Sequence, residues 1–183
     1  MKVWISLGWI LIFFTFWGCS EEPSKVPASP YFDLKSYMAQ EILKVSTSYS
    51  GNKTVMINGK KESMSVSSKI LADDLLVIKN SHINKPSWIG LYQIDSVLTP
   101  RQELSKIIYK AVKPTLKTQS LILTFSSGQI SKIEIVNITK ARIADANQVL
   151  VYEPEKGYSL ENKQKLMLFP ESVISIKTIF LKN

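Results

Sequence analysis

From Trp88 to the C-terminus the chain is a succession of short apolar runs, each cut off by turn residues, and this rhythm limits the fold more than any other feature. The runs are Trp88 to Ser96, Glu103 to Val112, Gln119 to Phe125, Ile130 to Ile138, Gln148 to Glu153, Tyr158 to Phe169 and Ser172 to Leu181. Ser126-Ser127-Gly128 and Pro154-Glu155-Lys156-Gly157 supply hairpin chemistry between neighbouring runs. Sequential strands joined in this way predict an antiparallel meander of about seven strands. Leu121, Leu123 and Phe125 alternate with Ile122, Thr124 and Ser126, and Leu166 and Leu168 alternate with Met167 and Phe169. Several strands thus carry apolar side chains on both faces. One face is expected to meet helices, and the other to line a concave cavity or to pack on a folded-over sheet.

The residues before this region are of mixed type. Ser29-Pro30 is an N-cap and first-turn proline signature, and Tyr31, Leu34, Met38, Ile42 and Val45 follow at helical spacing, predicting a helix from Pro30 to Val45. Phe32, Ala39 and Leu43 widen its apolar stripe, as in a helix that packs on a sheet. Alternation from Lys53 to Val66 around Asn58-Gly59 predicts a hairpin, because Asn-Gly tolerates the positive φ angles of a type I′ turn. A second helix is expected from about Ser68 to Ser81, with Leu71, Leu75, Ile78 and His82 on one face, ended by Asn84-Lys85-Pro86. The predicted class is α+β: an N-terminal helix, a β-hairpin and a second helix packed on a curved antiparallel sheet.

Residues 1–29 read differently. Lys2, the apolar stretch Val3 to Trp17 and the small Gly18 follow the order of a secretory signal, and the stretch is short for a retained membrane helix, which needs about 20 apolar residues. Phe16-Trp17-Gly18-Cys19 resembles the lipobox of bacterial lipoproteins. Gly18 and Cys19 match it, whereas Phe16 and Trp17 stand where Leu and a small residue are usual. The resemblance implies cleavage between Gly18 and Cys19 and acylation of Cys19 with diacylglyceryl and palmitate-like chains. It places the protein in the cell envelope, on the outer membrane of a Gram-negative bacterium, with the membrane itself as partner through the lipid. Residues 1–18 are then a signal peptide, 19–29 the lipidated Cys19 and a polar, proline-bearing tether, and 30–183 a single globular domain. Ser20-Glu21-Glu22 is similar to the acidic signal that sends some lipoproteins to the cell surface, and it reads equally as the start of a solvated tether.

Composition narrows the partners. The formal net charge is +8, but 21 of the 23 basic residues are Lys, and only Arg101 and Arg142 offer the bidentate guanidinium fork preferred for phosphate recognition. The Lys residues are dispersed, with only Lys60-Lys61 adjacent, so no nucleic-acid partner is expected; contact with anionic lipid headgroups remains open. With Cys19 acylated the mature chain has no other thiol, so it folds without disulfides.

The reactive residues form no recognisable catalytic, cofactor-binding or metal-ligating set. His82, the only histidine, fits a helix C-terminus, where a partial positive charge meets the helix dipole. Asp73 and Asp74, adjacent on a helix, point about 100° apart and fit a solvated face. Glu134, Asp145, Glu153 and Glu155 form no local pair of the glycosidase type. Ser63, Ser65, Ser67 and Ser68 fit a hairpin surface and a helix cap, not a nucleophile elbow. Trp88, Tyr92, Tyr109, Tyr152 and Tyr158 read as sheet and core residues before they read as ligand-stacking platforms.

Helices followed by a long antiparallel sheet in an exported lipoprotein resemble the half-barrel lipoprotein-carrier folds of the Gram-negative envelope, by topology alone. The strings Pro30-Tyr31-Phe32-Asp33-Leu34-Lys35 and Lys156-Gly157-Tyr158-Ser159-Leu160 are similar to uncharacterised envelope lipoproteins, and neither resemblance carries functional residues. Three readings follow in order. The first is a non-enzymatic protein-interaction or assembly module anchored at Cys19. The second is a binder or carrier of a lipid or other apolar ligand in a half-barrel cavity, and the third is a hydrolase.

Overall fold

The computed structural model describes residues 30–183. Gly18 and Cys19, with the segments expected to be a signal peptide and a tether, lie outside the described residues. In chain order the elements are α1 (Leu34–Ser48), β1 (Tyr49–Ile57), β2 (Lys60–Val66), α2 (Ser68–Lys79), a 3-10 turn (Pro86–Trp88), β3 (Tyr92–Leu98), β4 (Leu104–Ala111), β5 (Thr118–Ser126), β6 (Gln129–Lys140), β7 (Ala144–Glu153), β8 (Gly157–Leu166) and β9 (Ser172–Lys182). The broad α+β class holds: two helices and one antiparallel sheet, ordered β2-β1-β9-β8-β7-β6-β5-β4-β3.

The sheet has nine strands, not seven. β3 to β9 form the meander, and the hairpin β1–β2 extends it, because β1 pairs with β9 along its whole length from Tyr49↔Lys182 to Ile57↔Ile174. That union is non-local. It joins the two ends of the domain's sequence, so no local periodicity announces it.

Several boundaries also move: β1 starts at Tyr49 and not Lys53, β7 at Ala144 and not Gln148, and α2 ends at Lys79 and not Ser81. α1 begins at Leu34 instead of Pro30, capped by Asp33, whose carboxylate accepts from the Ser36 backbone N–H at 3.0 Å. Tyr31 and Phe32 are used elsewhere. The Tyr31 hydroxyl accepts from the Gly90 N–H at 2.8 Å, its ring packs edge-on against Tyr92 and Tyr109, and the Asn84 side chain donates to the Tyr31 and Phe32 carbonyls. The strand expected from Trp88 starts at Tyr92, because Pro86–Trp88 is a 3-10 turn and Gly90 follows at φ +78°. Met167 to Phe169, expected in a strand, lie beyond the end of β8 in a loop.

The core lies between the helices and one face of the sheet. Leu34, Met38 and Val45 of α1 and Leu71, Leu75 and Ile78 of α2 form stripes at helical spacing, all at most 1% exposed. They share one core with Leu121, Leu123, Ile133, Ile135, Leu150 and Tyr152, which the register stacks as Leu121↔Ile135↔Leu150 and Leu123↔Ile133↔Tyr152. Full burial of one such aliphatic side chain stabilises by about 1.5–3 kcal/mol. Among the described residues, the core members run from Tyr31 to Phe180.

The opposite face carries neither a second sheet layer nor a cavity roof among the described residues. Asp95, Ile108, Ile122, Glu134, Val151, Ser159 and Lys177 form one cross-strand row on it. The exposed Lys106, Lys110, Val149, Glu161 and Lys177 look outward from this face.

Gly157 opens β8 at φ +146°, and a Cβ there would stand 2.0 Å from the Thr178 carbonyl oxygen on β9. Gly157→Ala is therefore expected to cost on the order of 2–4 kcal/mol, from strain plus displacement of β9. Gly59→Ala, in the open Asn58-Gly59 turn at φ +88°, should cost about 1 kcal/mol. Urea unfolding of the two variants side by side checks the ranking.

Candidate functional site

Polar groups on the helix-bearing face are drawn into positioning the helices. At the C-terminal end of α2, Ser81, Thr118 and Asn137 are only 1–2% exposed. Thr118 Oγ1 lies 3.1 Å from the Ser81 carbonyl and 3.0 Å from Asn137 Oδ1, while Asn137 Nδ2 donates to Ser81 Oγ at 2.9 Å and to Gln148 Oε1 at 3.1 Å. The Tyr92 hydroxyl donates to the Thr118 carbonyl at 2.7 Å, and Ser81 Oγ donates back to the Val77 carbonyl at 2.8 Å. Midway along α2, the Asp74 carboxylate meets Lys53 Nζ of β1 at 2.7 Å and accepts from the Tyr158 hydroxyl of β8. On α1, Glu41 accepts from the Tyr152 hydroxyl at 2.5 Å.

This arrangement sorts the candidate residues. Asp73 is exposed whereas Asp74 turns inward, so the solvated-face expectation holds for the first and not for the second. Burial and the Asp74 contact push the Tyr158 phenol up, as burial and Glu41 do for Tyr152, and burial raises Tyr92. Burial, with Glu41 adding to it, pushes Tyr37 up to about 12. Near neutral pH these phenols stay protonated donors, the opposite of an activated nucleophile.

His82 departs from the expected role. Burial first, then the nearby Lys85 and Lys35, lower its pKa from 6.5, with Asp33 opposing, so it is neutral near pH 7 and contributes no positive charge to a helix dipole. Trp88 is half-buried against Tyr92, with ring centroids 6.3 Å apart, and Lys85 Nζ stands 3.9 Å above its ring.

The remaining acidic side chains do not converge. Glu134 pairs with Lys132 at 3.0 Å, Glu153 with Lys156 at 3.6 Å and Glu155 with Lys44 at 2.7 Å. Ser63 Oγ lies 3.0 Å from Thr54 Oγ1, and Ser67 occupies the α2 N-cap without a side-chain capping bond. Among the described residues, no group of three or more His, Cys, Asp or Glu side chains could hold a metal ion. No helix among them is long and apolar enough to cross a membrane.

The sequence reading missed Ser81, Thr118 and Asn137. A signal for the last was present: Asn137 follows Ile133 and Ile135 at the same strand parity, so the alternation alone turns its amide into the core.

Two features of the sheet are open to recognition. A shallow depression on the β1–β2 hairpin is lined by Val55, Ile57, Asn58, Lys60 and Glu62. On the open face, Ile108, Ile122, Val136, Val149 and Val151 form an apolar strip across β4–β7, bordered by Lys106, Lys110, Glu134 and Glu161. No protein-family model and no curated protein sequence matches the chain.

Asp74→Asn strips Lys53, whose side chain is 14% exposed, of its carboxylate and is expected to cost about 1–3 kcal/mol, against under about 0.5 kcal/mol for the exposed Asp73→Asn. Chemical denaturation of both variants compares them directly. His82 titrates lower when folded than when unfolded, so stability is fully present above pH 6.5 and falls as pH drops below it. His82→Gln should remove that component from the pH dependence of the urea midpoint.

Proposed function

We propose that the protein is a membrane-anchored envelope lipoprotein, attached through Cys19, that works as a non-enzymatic protein-interaction module through its open sheet face. The observation that carries this reading is the contrast between the two faces. The helix-bearing face is filled by Leu34, Met38, Leu71, Leu75 and Ile78, while among the described residues nothing covers the apolar strip of β4–β7. An acyl chain carried between sheet and helices would need the space those side chains occupy, which places the carrier reading second. The strip's mixed border, Lys106 and Lys110 with Glu134 and Glu161, suits a partner that offers apolar contacts ringed by side chains of both charges.

In-cell photo-crosslinking of the full chain tests the docking face. A crosslinker at Val136 or Val149 should capture a recurrent envelope protein, and one at the exposed Lys35 on α1 should not. Recovery of no recurrent partner from the open face would count against the interaction reading. Native mass spectrometry that found co-purified lipid in stoichiometric amount would move the carrier reading ahead. Cys19→Ala is expected to abolish lipid labelling and to release the protein from washed membranes, because one or more acyl chains supply about 0.8 kcal/mol per buried methylene.

A further inference from the structure

Four of the five most exposed large apolar side chains among the described residues stand together at one end of the sheet, the fifth being Leu43 on α1. In the β8–β9 loop Met167, Leu168 and Phe169 are 76%, 86% and 66% exposed, and in the β6–β7 turn Ile143 is 69% exposed. The two loops adjoin, since the Met167 N–H donates to the Ile143 carbonyl at 3.0 Å. Their base is braced by the β1–β2 turn, where Asn58 accepts from the Val173 N–H at 2.9 Å and returns its own N–H to the Val173 carbonyl at 3.0 Å. A contiguous exposed apolar group with a polar rim marks a protein or membrane contact.

The rim is basic in balance. Lys140, Arg142, Lys163 and Lys165 surround the loops, against Asp145, Glu171 and Glu161, the last paired with Lys163 at 3.4 Å. Asp145 lies between Lys140 and Lys165 in the cross-strand register and so answers charges already present. Arg142, Lys165, Ile143 and Met167 also line a shallow hollow between the loops, where cationic and apolar groups meet within the span of one lipid headgroup.

Topology adds the orientation. In an antiparallel meander β3, β7 and β9 begin at the same end of the sheet, so Tyr92, Ala144 and Ser172 share it. Tyr31 is held there by Gly90 and Tyr92, so the described chain starts at the end that carries the apolar loops. A tether running from an acylated Cys19 would bring this end to the bilayer.

We propose that the Met167-Leu168-Phe169 loop and Ile143 insert into the interfacial layer of an anionic phospholipid bilayer, with Arg142, Lys140, Lys163 and Lys165 meeting headgroup phosphates. Only the orientation rests on acylation of Cys19; the contact itself does not. Its occupant is a lipid surface, because the apolar side chains stand 66–86% exposed on two adjoining loops, and their collar has the sign that anionic headgroups complement.

The test uses residues 21–183, which lack Cys19 and retain every described core residue, once circular dichroism and a cooperative melt show that they fold, so its outcome is independent of the Cys19→Ala result. Sedimentation is measured with vesicles of phosphatidylcholine alone and with vesicles containing equal parts phosphatidylglycerol. The unaltered domain should bind the anionic vesicles and bind neutral ones at least about fivefold more weakly, the factor that ~1 kcal/mol for a single basic contact corresponds to. Leu168→Asp/Phe169→Asp should weaken anionic binding at least about tenfold with an unchanged melting temperature, because both side chains face solvent. Phe169→Trp should shift its emission to the blue on adding anionic vesicles. The proposal is overturned if the double variant binds as well as the parent, if the parent ignores anionic vesicles, or if the Phe169→Trp emission does not move. It is equally overturned if Arg142→Ala/Lys165→Ala leaves the preference for anionic vesicles intact.

Discussion

The packing of two helical stripes against alternate residues of β5, β6 and β7 is the constraint on which the other features depend. Strand side chains alternate with a period of two, so once Leu121, Leu123, Ile133, Ile135, Leu150 and Tyr152 are committed to the helices, the parity of every neighbouring strand follows. The same commitment assigns Ile122, Val136, Val149 and Val151 to the opposite face, where no element among the described residues covers them. It also fixes where α2 ends, because Ser81 must reach Thr118 and Asn137.

Polar groups refine what apolar packing leaves loose. A helix lying on an aliphatic surface can slide at modest cost, whereas a buried amide or carboxylate without its partners loses about 1–3 kcal/mol. Asn137 at one end, Asp74 with Lys53 and Tyr158 in the middle, and Glu41 with Tyr152 on the other helix fix the register of both helices. Because these side chains are spent on position, those that might have been read as chemical candidates have structural work, and recognition is left to the open face and the loop ends.

Much of the fold was legible locally. The Asn58-Gly59 turn, the stripe Leu71, Leu75, Ile78 and the strand alternation all rest on short-range periods that a chain cannot hide. Less was legible where one segment serves another: Tyr31 leaves the expected helix because Gly90 and the β3–β4 edge engage it, and β1 joins β9 from the far end of the sequence. Of the proposed site, Cys19 is legible only in sequence. The Met167-Leu168-Phe169 run was visible but misassigned, because an apolar run carries no mark distinguishing a strand from a projecting loop until its neighbours are in place.

By itself the sequence determined the element types, the hairpin turns and the N-terminal export pattern, since each depends on residues close together in the chain. Only the tertiary structure decided which strand face is filled, that the hairpin completes a nine-stranded sheet, and that Ile143 meets Met167 beside Arg142 and Lys165. The physical reason is distance along the chain. Dihedral preferences and periodicity act over a few residues, whereas burial and charge are set by side chains that folding alone brings together.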